Sequence, residues 1–228
     1  MQIRSGIQAH TLRQMPPVRQ HQAAVGGDRS GAFELMGAPM MFKRNAEIYG
    51  ESEPSEYLYK VVSGTVRTYK VLADGRRQIG AFYMPGDVFG LESGEEHTSS
   101  AEAISEAHIL VVKRSALEAA AARDSTVAQQ LWAVTVGELR RAQDRLLTLI
   151  KTAEERVAGF LLEMARRMPA GNQIELPMSR QDIADYLGLT IETVSRTMTH
   201  LESAAAIDLP SSRRVVLRNR AALGRMNG

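Results

Sequence analysis

The apolar positions of this chain change period along its length. Over residues 33–113 they come in short β-type runs broken by turn residues: 57–62 stops at Ser63-Gly64, 66–72 at Asp74-Gly75, and 78–84 at Pro85-Gly86-Asp87. Residues 101–103 and 108–112 complete the set. Asp-Gly between two such runs signals a hairpin. Many short strands with glycine turns predict a small antiparallel roll or barrel. Over residues 125–152 the period becomes helical. Trp132, Leu139 and Leu146 stand seven apart, as do Thr135, Ala142 and Leu149. A seven-residue repeat with small residues on one row describes a seam between two helices, although a helix buried within one chain shows the same spacing. A second stripe through Leu131, Val134 and Ile150 is available to pack on the roll. Residues 154–168 form another helix, ending before Gly171-Asn172.

Residues 178–201, MSRQDIADYLGLTIETVSRTMTHL, read as helix, turn and helix. Ser179 can cap the first helix, with Asp182 three residues on. Ile183, Ala184 and Leu187 form its apolar face. Gly188 supplies a left-handed turn, and Thr190 can cap the second helix. Val194, Met198 and Leu201 face inward, which turns Glu192, Thr193, Ser195 and Arg196 outward. Ile207-Asp208-Leu209 and Val215-Val216-Leu217, joined through Pro210-Ser211-Ser212-Arg213-Arg214, read as a hairpin wing with a basic tip. Together these predict a winged helix-turn-helix, which sets its second helix in a DNA major groove. Its exposed first turn carries an acceptor, a hydroxyl and a guanidinium. Arg196 suits G O6 and N7, Glu192 suits C N4, Ser195 suits a neighbouring base, and Ile191 offers only apolar contact to a thymine methyl. Ser179, Arg180, Gln181, Thr190, Arg213 and Arg214 form the expected phosphate-contact set. An inverted DNA repeat requires a two-fold partner, so the seam through Trp132, Thr135, Leu139, Ala142, Leu146 and Leu149 is expected to dimerise.

The fold class expected is therefore α+β. It comprises an N-terminal arm (1–32), an antiparallel β-roll (33–124), a dimerisation helix (125–152) and a C-terminal winged helix-turn-helix (153–228). The 228 residues suffice for one large or two modest domains. No apolar run approaches a bilayer span, and the polar first thirty residues carry no leader pattern, so a cytoplasmic protein without membrane contact is expected. The net charge of +2 says little, but its distribution says more. Residues 193–228 hold 6 basic and 2 acidic side chains, whereas 33–124 hold 10 basic and 14 acidic. The basic excess thus lies at the end expected to meet phosphate. Cysteine is absent, which excludes disulfides, thiolate metal sites and cysteine-ligated clusters. No phosphate-cradling loop or nucleophile elbow is present. His97 and His108 are isolated and read as surface or hairpin residues, too few for a metal-dependent enzyme.

Roll, long helix and winged reader, in that order, resemble the CRP/FNR regulators over residues 33–223. Gly50-Glu51, residues 59–67 (YKVVSGTVR), Asp74-Gly75-Arg76-Arg77 and Pro85-Gly86-Asp87-Val88-Phe89-Gly90 are similar to that family's glycine-punctuated, cyclic-nucleotide-binding-like roll. Ile191-Glu192-Thr193-Val194-Ser195-Arg196 resembles the recognition helix of the FNR branch. Residues 86–96 and 101–104 resemble its FixK group, which regulates microaerobic and nitrogen-fixation genes. The resemblance implies a homodimeric transcription activator that reads TTGA-like half-sites and works with RNA polymerase. Cyclic-nucleotide rolls carry Gly-Glu for the ribose and an Arg before Ser or Thr for the phosphate. Here the first site reads Gly90-Leu91-Glu92, and the second reads His97-Thr98-Ser99-Ser100-Ala101 without arginine. Burying an anion without a cation is costly, so cyclic AMP is not expected as effector. The expectation is a regulator without cofactor whose roll is a scaffold. The alternative is a regulator of the same fold gated by another small molecule in the roll.

Overall fold

The computed structural model describes residues 31–92, 94–148, 150–168 and 171–227. Its N-terminal half is an antiparallel roll of two sheets. One has the order β1 (Ala38–Phe42), β8 (Ala107–Lys113), β3 (Tyr57–Ser63), β6 (Val88–Phe89). The other has the order β2 (Glu47–Tyr49), β7 (Ser100–Ala103), β4 (Val66–Val71), β5 (Arg77–Tyr83). Tyr59, Val61, Ile109 and Val111 of the first sheet meet Tyr49, Val66, Ala101 and Ala103 of the second in one buried cluster. The β3–β4 turn depends on Gly64: its φ is +83°, and a Cβ there would stand 2.2 Å from the Glu106 carbonyl oxygen.

Helices α1 (Ala32–Met36) and α2 (Arg114–Ala121) close one end of the roll. Ala32, grouped with the arm in the sequence, is the first residue of α1 and is buried with Phe33. Residues 1–30 of the arm and Leu149 lie outside the described residues. Helix α3 (Ser125–Thr148) packs Val127, Leu131 and Val134 on the cluster formed by Ala32, Phe33, Leu58, Val88, Val112 and Leu117. Ile150 departs from the expectation. It lies beyond the end of α3 and is 85% exposed, because the helix stops before the stripe reaches it.

Helix α4 (Ala153–Arg167) opens with a capping box between Thr152 and Glu155. It forms a common core with α5 (Arg180–Leu187), α6 (Ile191–Ser203) and the wing. The wing is a three-stranded sheet, β10 (Ile207–Asp208), β11 (Arg214–Leu217) and β9 (Gln173–Glu175), and the last helix, α7 (Arg220–Asn227), packs on α4. Ile79, Phe82 and Met84 of the roll belong to the same cluster, so the reader packs directly on the roll. No helix among the described residues is long and apolar enough to cross a membrane.

Candidate nucleic-acid interface

Local chemistry fixes the helix-turn-helix. The Ser179 hydroxyl accepts from the Asp182 backbone N–H, and the Asp182 carboxylate accepts from the Ser179 N–H, a reciprocal cap. Gly188 ends α5 at φ +65°, a conformation that a Cβ would penalise. Thr190 then caps α6 through the Thr193 N–H. Val194, Met198 and Leu201 are fully buried and set the rotation of α6 about its axis. That rotation leaves Ile191, Glu192, Ser195 and Arg196 exposed on its outer face.

The reading groups remain available to a ligand. Hydrogen bonds from its own backbone N–H and then the Thr190 hydroxyl hold the Glu192 carboxyl below its ordinary pKa, with a smaller contribution from Arg196. The carboxylate is therefore an acceptor at neutral pH. Arg196 closes no ion pair with it, although the two stand four residues apart on one helix. A surface pair would have consumed both.

The phosphate-contact set is more varied. Ser179 and Thr190 are already cap residues, and Gln181 Nε2 donates to Asp185 Oδ1 at 2.6 Å. Arg180 is half-buried. Burial lowers its pKa, and its Nη1 has no hydrogen-bond partner. In the wing, Arg214 is exposed and Arg213 half-buried. Arg213 and Ser179 line one polar cleft with Arg44, Arg67 and Arg77 of the roll.

Helix α3 buries none of its residues completely. Trp132, Leu139 and Leu146 are 71%, 59% and 65% exposed, and Thr135 and Ala142 lie exposed between them. The face opposite the roll is thus apolar and uncovered in a single chain.

An open cleft of about 1070 Å³ lies between the roll, α3 and the reader, lined by Tyr49, Tyr83 and Glu92 of the roll, Arg141 of α3, Phe160 of α4 and Tyr186 of α5 among others. His97 corrects the expectation of a surface residue. It is 2% exposed, its ring stacks on Tyr49 at 3.6 Å and 9°, and Nδ1 lies 3.3 Å from Glu92 Oε2. An aromatic neighbour offers a flat imidazole stacking area, and position in the sequence does not reveal that. His108 is exposed on β8. Arg141 points from α3 to Asp87 and Glu138.

Sequence reasoning missed a set of ties behind the reader. Asp182, besides its capping role, pairs with Arg67 and Arg77 of the roll. Burial opposes its charge, but the Ser179 N–H and hydroxyl, then Arg67 and Arg77, outweigh it and hold its pKa below the usual aspartate value. Arg77 also pairs with Asp185. These partners are 105 to 115 residues apart, and no local pattern connects them.

Comparisons with known proteins agree with this architecture. A family model for the Crp-like helix-turn-helix domain matches residues 155–226, and one for the cyclic nucleotide-binding domain matches 39–124. The chain is 55% identical to the nitrogen fixation regulation protein FixK of Azorhizobium caulinodans, over 84% of this chain and 80% of that one. It is 41% identical to the protein of the same name from Rhizobium meliloti, over 76% and 80%. The solved structure of FixK2 from Bradyrhizobium japonicum superposes with a TM-score of 0.81 at 54% identity, covering 85% of this chain and 98% of that one.

Proposed function

This chain belongs to the CRP/FNR family of transcription regulators, close to its FixK members, and from that premise we propose that it is a homodimeric activator reading an inverted repeat with TTGA-like half-sites. The observation that carries this reading is the exposed trio Glu192, Ser195 and Arg196 on a recognition helix whose inner face is locked in the core. Arg196 and Glu192 serve one G·C pair, Ser195 a neighbouring pair, and Ile191 a thymine methyl. Ser179, Arg180, Gln181, Thr190, Arg213 and Arg214 place the reader on phosphates. The uncovered Trp132–Leu139–Leu146 face, continued by Thr135 and Ala142, joins two chains, and the seven-residue repeat of the sequence adds Leu149 to that seam. Its place is the cytoplasm, where it recruits RNA polymerase at genes of microaerobic or nitrogen-fixation metabolism. The names of its FixK relatives support that role.

In this reading the roll is a scaffold, and neither cyclic nucleotide nor another cofactor is required for DNA binding. The open cleft between the roll, α3 and the reader favours a second reading, in which a small molecule held by the roll gates the reader. Titrating the purified, additive-free chain against an inverted-repeat duplex separates the two. Full affinity without additive supports the scaffold. Affinity that appears only on adding a cell extract's small-molecule fraction supports gating.

A further inference from the structure

The reader is tied to the rest of the chain by side chains that base reading does not use. Arg67 Nη1 and Arg77 Nη2 of the roll each donate to Asp182 Oδ1 at 2.6 Å. Arg77 Nε donates to Asp185 Oδ2 at 2.7 Å, and Gln78 Nε2 to the Asp185 carbonyl at 2.6 Å. Arg145 on α3 completes the set. It donates to the carbonyls of Gly80 and Ile79 in β5, the latter at 2.5 Å, and to that of Tyr186 in α5 at 3.0 Å. Its guanidinium lies 4.5 Å from the Tyr186 ring centroid. Among the described residues no carboxylate pairs with Arg145, so it acts as a hydrogen-bonded staple across three elements.

We propose that Arg77, with Gln78 and Arg145, acts as a positioning group that fixes the reader's angle to the dimer seam and thereby sets which half-site spacing is accepted. The inference rests on the dimeric reading above. One rigid helix, α3, carries both Arg145 and the seam residues Trp132, Leu139 and Leu146, so the two-fold axis and the latch share a frame. The reader follows α3 through the short segment before α4 and shares an apolar core with Ile79, Phe82 and Met84 of the roll; apolar packing is non-directional, so the hydrogen-bonded latch supplies the contacts that fix the angle. The latch engages α5 alone. Ile191, Glu192, Ser195 and Arg196 on α6 take no part in it, so holding the latch and reading bases are compatible. Two rigidly held readers fit one separation and must break ties to meet another. Two loosely tethered readers accept several separations at similar cost.

The test uses the full chain and duplexes differing only in the spacer between half-sites, with a single-half-site duplex as control. The parent should prefer its best spacing over one lengthened by two base pairs by about tenfold or more. Arg77→Gln should bind the best spacing about tenfold more weakly and discriminate between spacings by less than about threefold, while half-site binding stays within about twofold. Arg77→Lys, which keeps a cation between Asp182 and Asp185, should retain the preference. Arg145→Met should behave like Arg77→Gln, with sedimentation confirming a folded dimer. Unchanged spacing preference in Arg77→Gln and Arg145→Met overturns the proposal. So does an equal loss on every duplex, half-site included, or a gain in affinity, which would mark a restraint on binding. A parent chain that binds no inverted repeat would instead overturn the dimeric reading.

Discussion

Arg196 carries the sharpest residue-scale expectation. It stands exposed on α6, unpaired with Glu192 four residues away, and its two donors fit one guanine edge. Arg196→Ala should cost about 1–3 kcal/mol per half-site and relax preference at one G·C position. A fluorescence titration against the parent site and its G-to-A variant checks this; retained discrimination would remove Arg196 from base reading. Arg213, at the wing, should behave differently. Arg213→Ala should weaken binding to all duplexes alike and reduce the slope of log affinity against log salt by about one. Asp182 makes a pH prediction. Its folded pKa is depressed, so its contribution is complete above the unfolded value and is lost as pH falls through the folded one. Acid should therefore destabilise the chain in the window below about pH 4, the ordinary aspartate range. Asp182→Asn should lower stability at neutral pH by about 1–3 kcal/mol and remove part of that acid sensitivity, as measured by urea unfolding at several pH values.

At the scale of elements, α3 is where the seam prediction belongs. Leu139→Glu would set like charges against each other in the apolar seam, so self-association and DNA binding should fall together. Sedimentation velocity decides it: a variant that stays dimeric would move the interface elsewhere. The elements legible in the sequence were those with strong periods or caps. Helices α3, α4, α5 and α6 carry sustained stripes or cap residues, and β3, β4, β5 and β8 alternate or end in glycine turns. Others gave no such signal. Strand β1 contains Pro39 and buries no residue fully. Strands β2 and β9 are three residues long. Helix α2 has no side-chain cap, and α7 carries Gly224 in its interior. The exposed face of α6 was legible because the buried triplet Val194, Met198 and Leu201 determines what faces out. The burial of His97 and the Arg77–Asp185 tie were not, since both depend on residues distant in the chain.

For the whole molecule, the roll is joined to the reader by a shared core and by the Arg67, Arg77 and Arg145 ties. Cyclic AMP should leave DNA affinity unchanged. The segment from His97 to Ala101 offers no arginine to a cyclic phosphate, and a tenfold gain, about 1.4 kcal/mol of coupling, would contradict the scaffold reading. The most direct measurement of the central claim is unbiased selection of bound sequences from a random duplex pool by the purified, additive-free chain. A dimeric reader should enrich an inverted repeat, TTGA followed after a fixed gap by TCAA, with half-site centres about one helical turn apart. Enrichment of a single unpaired half-site, or of no sequence at all, would contradict it.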